Sequence, residues 1–195
     1  MGQAEPKKTH YSYEEYLTLE QQDDIRYEYY NGEVFAMVGG TKRHNQIAGN
    51  FYVFFSGALS DDCRVYSGDV KIEMHPHFHY VYPDIVVTCD SQDLENDQEV
   101  AISNPVIIVE VLSKSTQNYD LEHKKDAYMR LPSLQYYVLV SQNECLVKLY
   151  ERRKDFWAYT FYDSADQTIA FPKLNLTLTV GDIYKRVDFE KTDAS

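Results

Sequence analysis

The chain has 195 residues, enough for one domain with a full apolar core. Its hydrophobic fraction of 44% and charged fraction of 26% exclude wholesale disorder. A net charge of −12 repels phosphate backbones and anionic lipids, so any nucleic-acid role needs a local basic patch or bound cations.

Residues 1–11 read as a loose tail, and 12–187 as a single domain followed by a short tail at 188–195. Ser12-Tyr13-Glu14-Glu15 is a capping box that opens a helix to about residue 21. Asn31-Gly32 between runs at 26–30 and 33–38 signals a tight hairpin. His44, Ile47, Phe51, Phe54, Phe55 and Ala58 keep helical spacing, which predicts an amphipathic helix over about 43–59. Strands are expected at 64–66, 70–74 and 81–89, with a turn at Pro76, then an acidic loop over 90–104. The most apolar run, 106–112, predicts a central strand. A helix at 118–131 is stopped by Pro132. Three closely spaced strands follow at 135–141, 145–153 and 156–163, then an extended arm at 169–179 and a short helix at 181–187. The fold class is mixed α/β: a central sheet flanked by helices, extended by a C-terminal β-meander. Tyrosine, with 18 copies, adds weight to half-buried strands.

No run of 18 apolar residues exists, so no membrane span is expected. The start has neither the apolar stretch of a signal peptide nor the Ser or Thr at position 6 of a myristoylation motif. Cys63, Cys89 and Cys145 are odd in number and far apart, which points to free, mostly buried thiols in a cytoplasmic protein.

Three ionisable residues stand where the pattern asks for apolar ones. Glu110 interrupts the 106–112 run, and Asp84 lies between Pro83 and the run Ile85-Val86-Val87. A carboxylate in a strand covered on both faces is costly unless paired or bound to metal. If the two strands are neighbours, the acids meet at one end of the sheet, as oxygen ligands for Mg²⁺ or Mn²⁺ with positions left for water and phosphate. The third residue is Lys124. It shares a helical face with Leu121, Tyr128 and Leu131, which aims its ammonium at the sheet, whereas Lys125 turns to solvent. Asp120, one turn earlier, is placed to pair with it.

In chain order, Tyr27-Glu28, Asn31-Gly32-Glu33, His44-Asn45-Gln46-Ile47, Pro83-Asp84, Val109-Glu110-Val111-Leu112-Ser113, Asp120 with Lys124 and Tyr128, and the strand from Gln135 to Val140 resemble one family over about residues 12–185. It is the Uma-two family of restriction-endonuclease-like proteins in the PD-(D/E)XK nuclease superfamily. The resemblance implies a restriction-endonuclease-like core, with Asp84 and Glu110 as the metal-binding acids. Lys124 is then the catalytic lysine, moved to a helix from the strand position that Leu112 holds here. Glu28, His44, Asp120 and Tyr128 become accessory candidates, and Lys42, Arg43 and Lys114 substrate-binding candidates. It further implies cleavage of DNA, as duplex, in the cytoplasm, leaving a 5′-phosphate and a 3′-hydroxyl, with a homodimer suited to two strands. The sequence departs from the family at Lys114, Gln117, Gln135 and Ser141.

The leading reading is thus a Mg²⁺- or Mn²⁺-dependent endodeoxyribonuclease. The alternative is a catalytically inactive nuclease-fold module for nucleic-acid or protein interaction, motivated by the −12 charge and the departures. A third reading uses His75, His77 and His79, whose alternate spacing on one strand could bind zinc or nickel, as a metal-binding accessory protein; Pro76 argues against a regular strand there. The other basic clusters, at 42–44, 123–125 and 152–154, could offset the acidic surface if several line one groove. Gly39-Gly40 lacks phosphate-loop spacing and reads as a hinge. A glycosidase built on two acids leaves Lys124 unexplained.

Overall fold

Ser12 and Glu15 exchange hydrogen bonds at the start of α1 (Tyr13–Gln22): the Ser12 N–H donates to Glu15 Oε2, and the Glu15 N–H to Ser12 Oγ. That is the expected capping box. The computed structural model describes residues 9–22, 25–37, 39–95, 101–112 and 124–189. After α1 come β1 (Tyr27–Tyr30) and β2 (Glu33–Ala36), paired across Asn31 and Gly32. Both turn residues have positive φ, 47° and 86°, as a tight hairpin with right-handed strand twist requires.

Helix α2 (Lys42–Ala58) is capped by the Thr41 hydroxyl, which accepts from the His44 N–H. It buries Ile47, Phe51 and Phe55 fully, whereas Ala58, at the end of the predicted face, is exposed. There follow β3 (Arg64–Ser67), β4 (Lys71–His75), β5 (His79–Val81), β6 (Ile85–Thr88), the short helix α3 (Ser91–Glu95), β7 (Ala101–Ile102) and β8 (Pro105–Leu112). The second half holds α4 (Lys125–Arg130), β9 (Tyr136–Ser141), β10 (Val147–Arg152), β11 (Trp157–Tyr162), β12 (Thr168–Phe171), β13 (Leu176–Thr179) and α5 (Val180–Ile183).

The strands form a six-stranded sheet, β11-β10-β9-β8-β6-β3, a five-stranded sheet, β2-β1-β5-β4-β7, and the hairpin β12-β13. In the larger sheet only β8 and β9 run parallel. One of its faces buries Val109, Val111 and Val138 against Phe51 and Phe55 of α2, Phe171 of the hairpin and Ile183 of α5. Its other face buries Ile108, Leu112 and Leu139 against Tyr128 of α4 and against Ile72 and Val81 of the smaller sheet. Tyr29 and Tyr80, on the far face of the smaller sheet, pack on Tyr16 of α1. The predicted mixed sheet with helices on its faces is therefore present, with a second sheet layered on it.

Four expectations change. The strand expected over 81–89 breaks at Pro83, because proline cannot donate to a ladder; β5 belongs to one sheet and β6 to the other. The acidic loop contains α3 and β7, and the arm over 169–179 is a hairpin that turns through Pro172 and Asn175, the latter at φ 54°. The cysteines are not all free. The register Arg64↔Thr88 puts Cys63 opposite Cys89, and the two form a disulfide; Cys145 alone is a thiol. Pairing of strands 26 residues apart is a tertiary fact that cysteine spacing does not carry. Among the described residues no helix is long and apolar enough to cross a membrane.

Candidate functional site

The break at Pro83 starts β6 one residue after Asp84. Ile85 pairs with Val109, so one step further along this antiparallel ladder Asp84 lies across from Glu110. The side chains of Val86 and Ile108, two positions away, lie on the face that meets α4 and the smaller sheet, and Glu110 joins them there. Both acids therefore sit at the seam between the two sheets.

Each acid is held differently. Asp84 Oδ2 accepts the Val111 N–H at 2.6 Å and lies 3.2 Å from His44 Nε2, which reaches it from the first turn of α2. Its Oδ1 has no hydrogen bond among the described residues, and the side chain is 20% exposed. Glu110 is 4% exposed and accepts from the Tyr128 hydroxyl at 2.8 Å. Burial, then the nearby Glu110 charge, pushes the Tyr128 hydroxyl well above its usual range, so it remains a donor.

Lys124 Nζ lies 2.6 Å from Glu28 Oε1 and 3.6 Å from Glu110 Oε1, and the lysine is 7% exposed. Glu28 comes from β1 and also accepts the Tyr82 N–H. One lysine thus ties a glutamate from each sheet. The helical face predicted for Lys124 is the buried one, with Tyr128 and Leu131 beside it. Lys125 is half-buried rather than solvent-directed; its Nζ lies over the Tyr150 ring at 5.8 Å.

Glu110, Lys124, Glu28 and Tyr128 are joined by contacts at one locus, and Asp84 with His44 lies beside it, tied to the Val111 N–H next to Glu110. Lys42 is exposed, and Arg43 donates to the Gln142 carbonyl, an anchoring contact for the loop after β9. Lys114 and Asp120, with Leu121 and the start of the 118–131 helix, lie outside the described residues. The three histidines turn to different partners. His75 meets Phe78, His77 stacks on Tyr13, and His79 packs on Tyr30.

Two residues near the site were not legible as part of it. Tyr82 bridges two polar groups: its N–H holds Glu28, and its hydroxyl donates to Glu20, which pairs with buried Lys71. His79 shares a sheet face with Glu28, since Tyr30, two residues on from Glu28, pairs with it. Burial, then the Lys124 charge, lowers the His79 ring from 6.5 to about 4. The folded state holds this ring neutral while the unfolded chain protonates it near pH 6.5. Its contribution is complete above that pH and is lost as pH falls towards 4, about 1–2 kcal/mol in all once solvent screening of the partly open ring is allowed for. Urea unfolding at pH 7 and pH 5 is expected to show a smaller acid loss for His79→Gln than for the parent. An equal loss in both would place the acid sensitivity elsewhere.

Two acids on adjacent strands of a mixed sheet, with a buried lysine beside them, form the arrangement that the resemblance to the PD-(D/E)XK nuclease superfamily implies. Residues 13–181 match the Uma2 family, described as "Putative restriction endonuclease", and the chain belongs to that family. It is similar to "Uncharacterized protein slr1290" of Synechocystis, 35% identical over 90% of this chain and 92% of that one. "Uncharacterized protein sll1609" of the same organism is 28% identical over 72% of this chain and 80% of its own length. The fold is also that of a crystal structure titled as a putative nuclease belonging to DUF820 from Anabaena variabilis. Its TM-score is 0.69 at 17% identity, covering 89% of this chain and 97% of that one.

Proposed function

We propose that the chain hydrolyses phosphodiester bonds of DNA as a Mg²⁺- or Mn²⁺-dependent endonuclease. The observation that carries this reading is the convergence of Asp84, Glu110 and Lys124 at the seam of the two sheets. The donor set suits a hard divalent cation. Asp84 has an oxygen free of hydrogen bonds among the described residues, Glu110 lies across the ladder, and the Val111 carbonyl is adjacent. Such a cation takes one or two carboxylates and leaves positions for water and phosphate. When bound, it supplies activation of water and neutralisation of charge on the phosphate.

The protein's own groups do the rest. His44 and the Val111 N–H fix the Asp84 carboxylate through one oxygen. The Tyr128 hydroxyl orients Glu110. Lys124 orients the attacking water and stabilises negative charge as it develops on the phosphate. Burial makes that stabilisation stronger than it would be in water.

A second reading, a catalytically inactive nuclease-fold module, has its own observation, and the contacts as they stand favour it more directly. Lys124 already neutralises Glu28 and Glu110. Among the described residues, no three His, Cys, Asp or Glu side chains gather closely enough to hold a metal ion by themselves.

Supercoiled plasmid separates the two. The endonuclease reading expects nicking with Mn²⁺ or Mg²⁺ that EDTA stops. It also expects Mn²⁺ to raise the melting temperature, since a ligand bound only to the folded state adds about 2.7 kcal/mol at a hundred times its Kd. Glu110→Gln should lose that rise. No nicking with either ion, and no rise in the parent, would leave the inactive module.

A further inference from the structure

Glu110 belongs to a row that crosses the larger sheet. It pairs with Leu139 of β9, Leu139 with Lys148 of β10, and Lys148 with Phe161 of β11. Paired residues share a face, so the row runs from the acid pair to the edge strand on one side of the sheet. A second row lies beside it as rings in contact: Tyr128 on Tyr137 at 5.2 Å, Tyr137 on Tyr150 at 6.1 Å, and Tyr150 on Tyr159 at 5.1 Å. Tyr128 is the residue that donates to Glu110. At the outer end Tyr159 and Phe161 are 51% and 53% exposed, two residues apart on β11. Lys148 stands between Phe161 and Leu139, half-buried, and carries no salt bridge among the described residues. It lines a shallow hollow with Leu139, Ser141, Asn143, Glu144 and Leu146.

Exposed aromatic rings alternating with a cation, in a chain of net charge −12, have a definite chemistry. They offer π-faces to unpaired bases and one positive charge to a backbone phosphate. A duplex hides its base faces, and its denser phosphate charge is poorly suited to so acidic a surface. We propose that this row binds single-stranded nucleic acid. Bases stack on Tyr159 and Phe161 and a phosphate meets Lys148, at the open end of a row whose inner members, Leu139 and Glu110, are buried. This departs from the duplex substrate expected from the family resemblance. Binding at this edge does not rest on the endonuclease reading above.

The test is fluorescence anisotropy with a labelled oligo-dT of twelve nucleotides and a blunt duplex of equal length, in EDTA. The oligo-dT is expected to bind more tightly than the duplex. Phe161→Ala and Tyr159→Ala should each weaken it about fivefold or more, and Phe161→Trp should retain it. Lys148→Ala should reduce the salt slope by about 0.7, the value for one phosphate of a single strand. Each position is at least partly open, and unchanged melting temperatures would show the folds intact. Equal affinity for oligo-dT and duplex would overturn the proposal, as would alanine variants that bind like the parent. So would a Phe161→Ala variant that turns a dimer into a monomer without changing affinity, because a second copy then covers the β11 edge. Plasmid nicking without oligo-dT binding sinks this assignment alone. Phe161-dependent binding without nicking sinks the endonuclease reading alone.

Discussion

Asp84→Asn is expected to abolish metal-dependent nicking of plasmid DNA while leaving the protein folded. Asparagine keeps an oxygen that can accept the Val111 N–H, so the backbone contact that ties β6 to β8 survives. What is lost is the negative charge on the oxygen left free for a cation, together with the charge opposite His44. The carboxylate is partly open to solvent, so removing its charge perturbs the core little. The checks are gel-based nicking with Mn²⁺ and a melting curve taken side by side. Activity near zero with a melting temperature close to the parent is the expected pair. Nicking that persists in the purified variant would point to a contaminating enzyme or a different site.

Lys124→Met is expected to lower kcat by about 10²–10³-fold, the range for losing one preorganised electrostatic donor. Methionine fills the same space without the ammonium, so steric collapse is minor. The substitution also leaves Glu28 and Glu110 buried beside each other's vacated partner. Removing one member of a buried pair destabilises by about 3–5 kcal/mol when the remaining charge stays unpaired. A purely structural lysine therefore predicts a stability loss, and with it no specific change in turnover of the folded fraction. A catalytic lysine predicts the kcat loss at temperatures where the variant is fully folded. Bound Mn²⁺ should still raise the melting temperature of the variant, since the lysine is not among the oxygen ligands. Lys125→Met is the control: its ammonium lies over Tyr150, away from the acids, and turnover should be unchanged. Equal losses at both positions would remove Lys124 from the chemistry.

Local patterns carried much of the fold. The Asn31-Gly32 hairpin, the Ser12–Glu15 cap and the apolar face of α2 depend on neighbours within a few residues, and all were readable from spacing. The inward turn of Lys124 was readable for the same reason, because Tyr128 and Leu131 on the same helical face define the buried side. Even so, the helix expected over 118–131 is described only from Lys124 onward.

Lys71 shows where such reading stops. An alternating strand that hides Ile72 should expose its neighbour, yet Lys71 is buried between the rings of Tyr16 and Tyr80 and paired with Glu20. The reason is that α1 covers the far face of the smaller sheet, so both faces of β4 are interior. The same layering explains Glu28, an accessory candidate through the family resemblance alone: the smaller sheet packs onto the larger and sets it beside Lys124. The Cys63–Cys89 bridge and the change of sheet at Pro83 likewise required strands distant in the chain to pair in one register.

The division follows from range. Helical and strand periodicity, caps and turns are set by interactions a few residues long, and the amino-acid order states them directly. Which sheet a strand joins, which two acids face each other and which lysine lies between them are set by contacts tens of residues apart. Asp84, Glu110 and Lys124 could each be suspected alone for their residue type and surroundings, and Glu28 only through the family resemblance. Strand pairing in the larger sheet set Asp84 across from Glu110, and the packing of the smaller sheet on it set Glu28 beside Lys124.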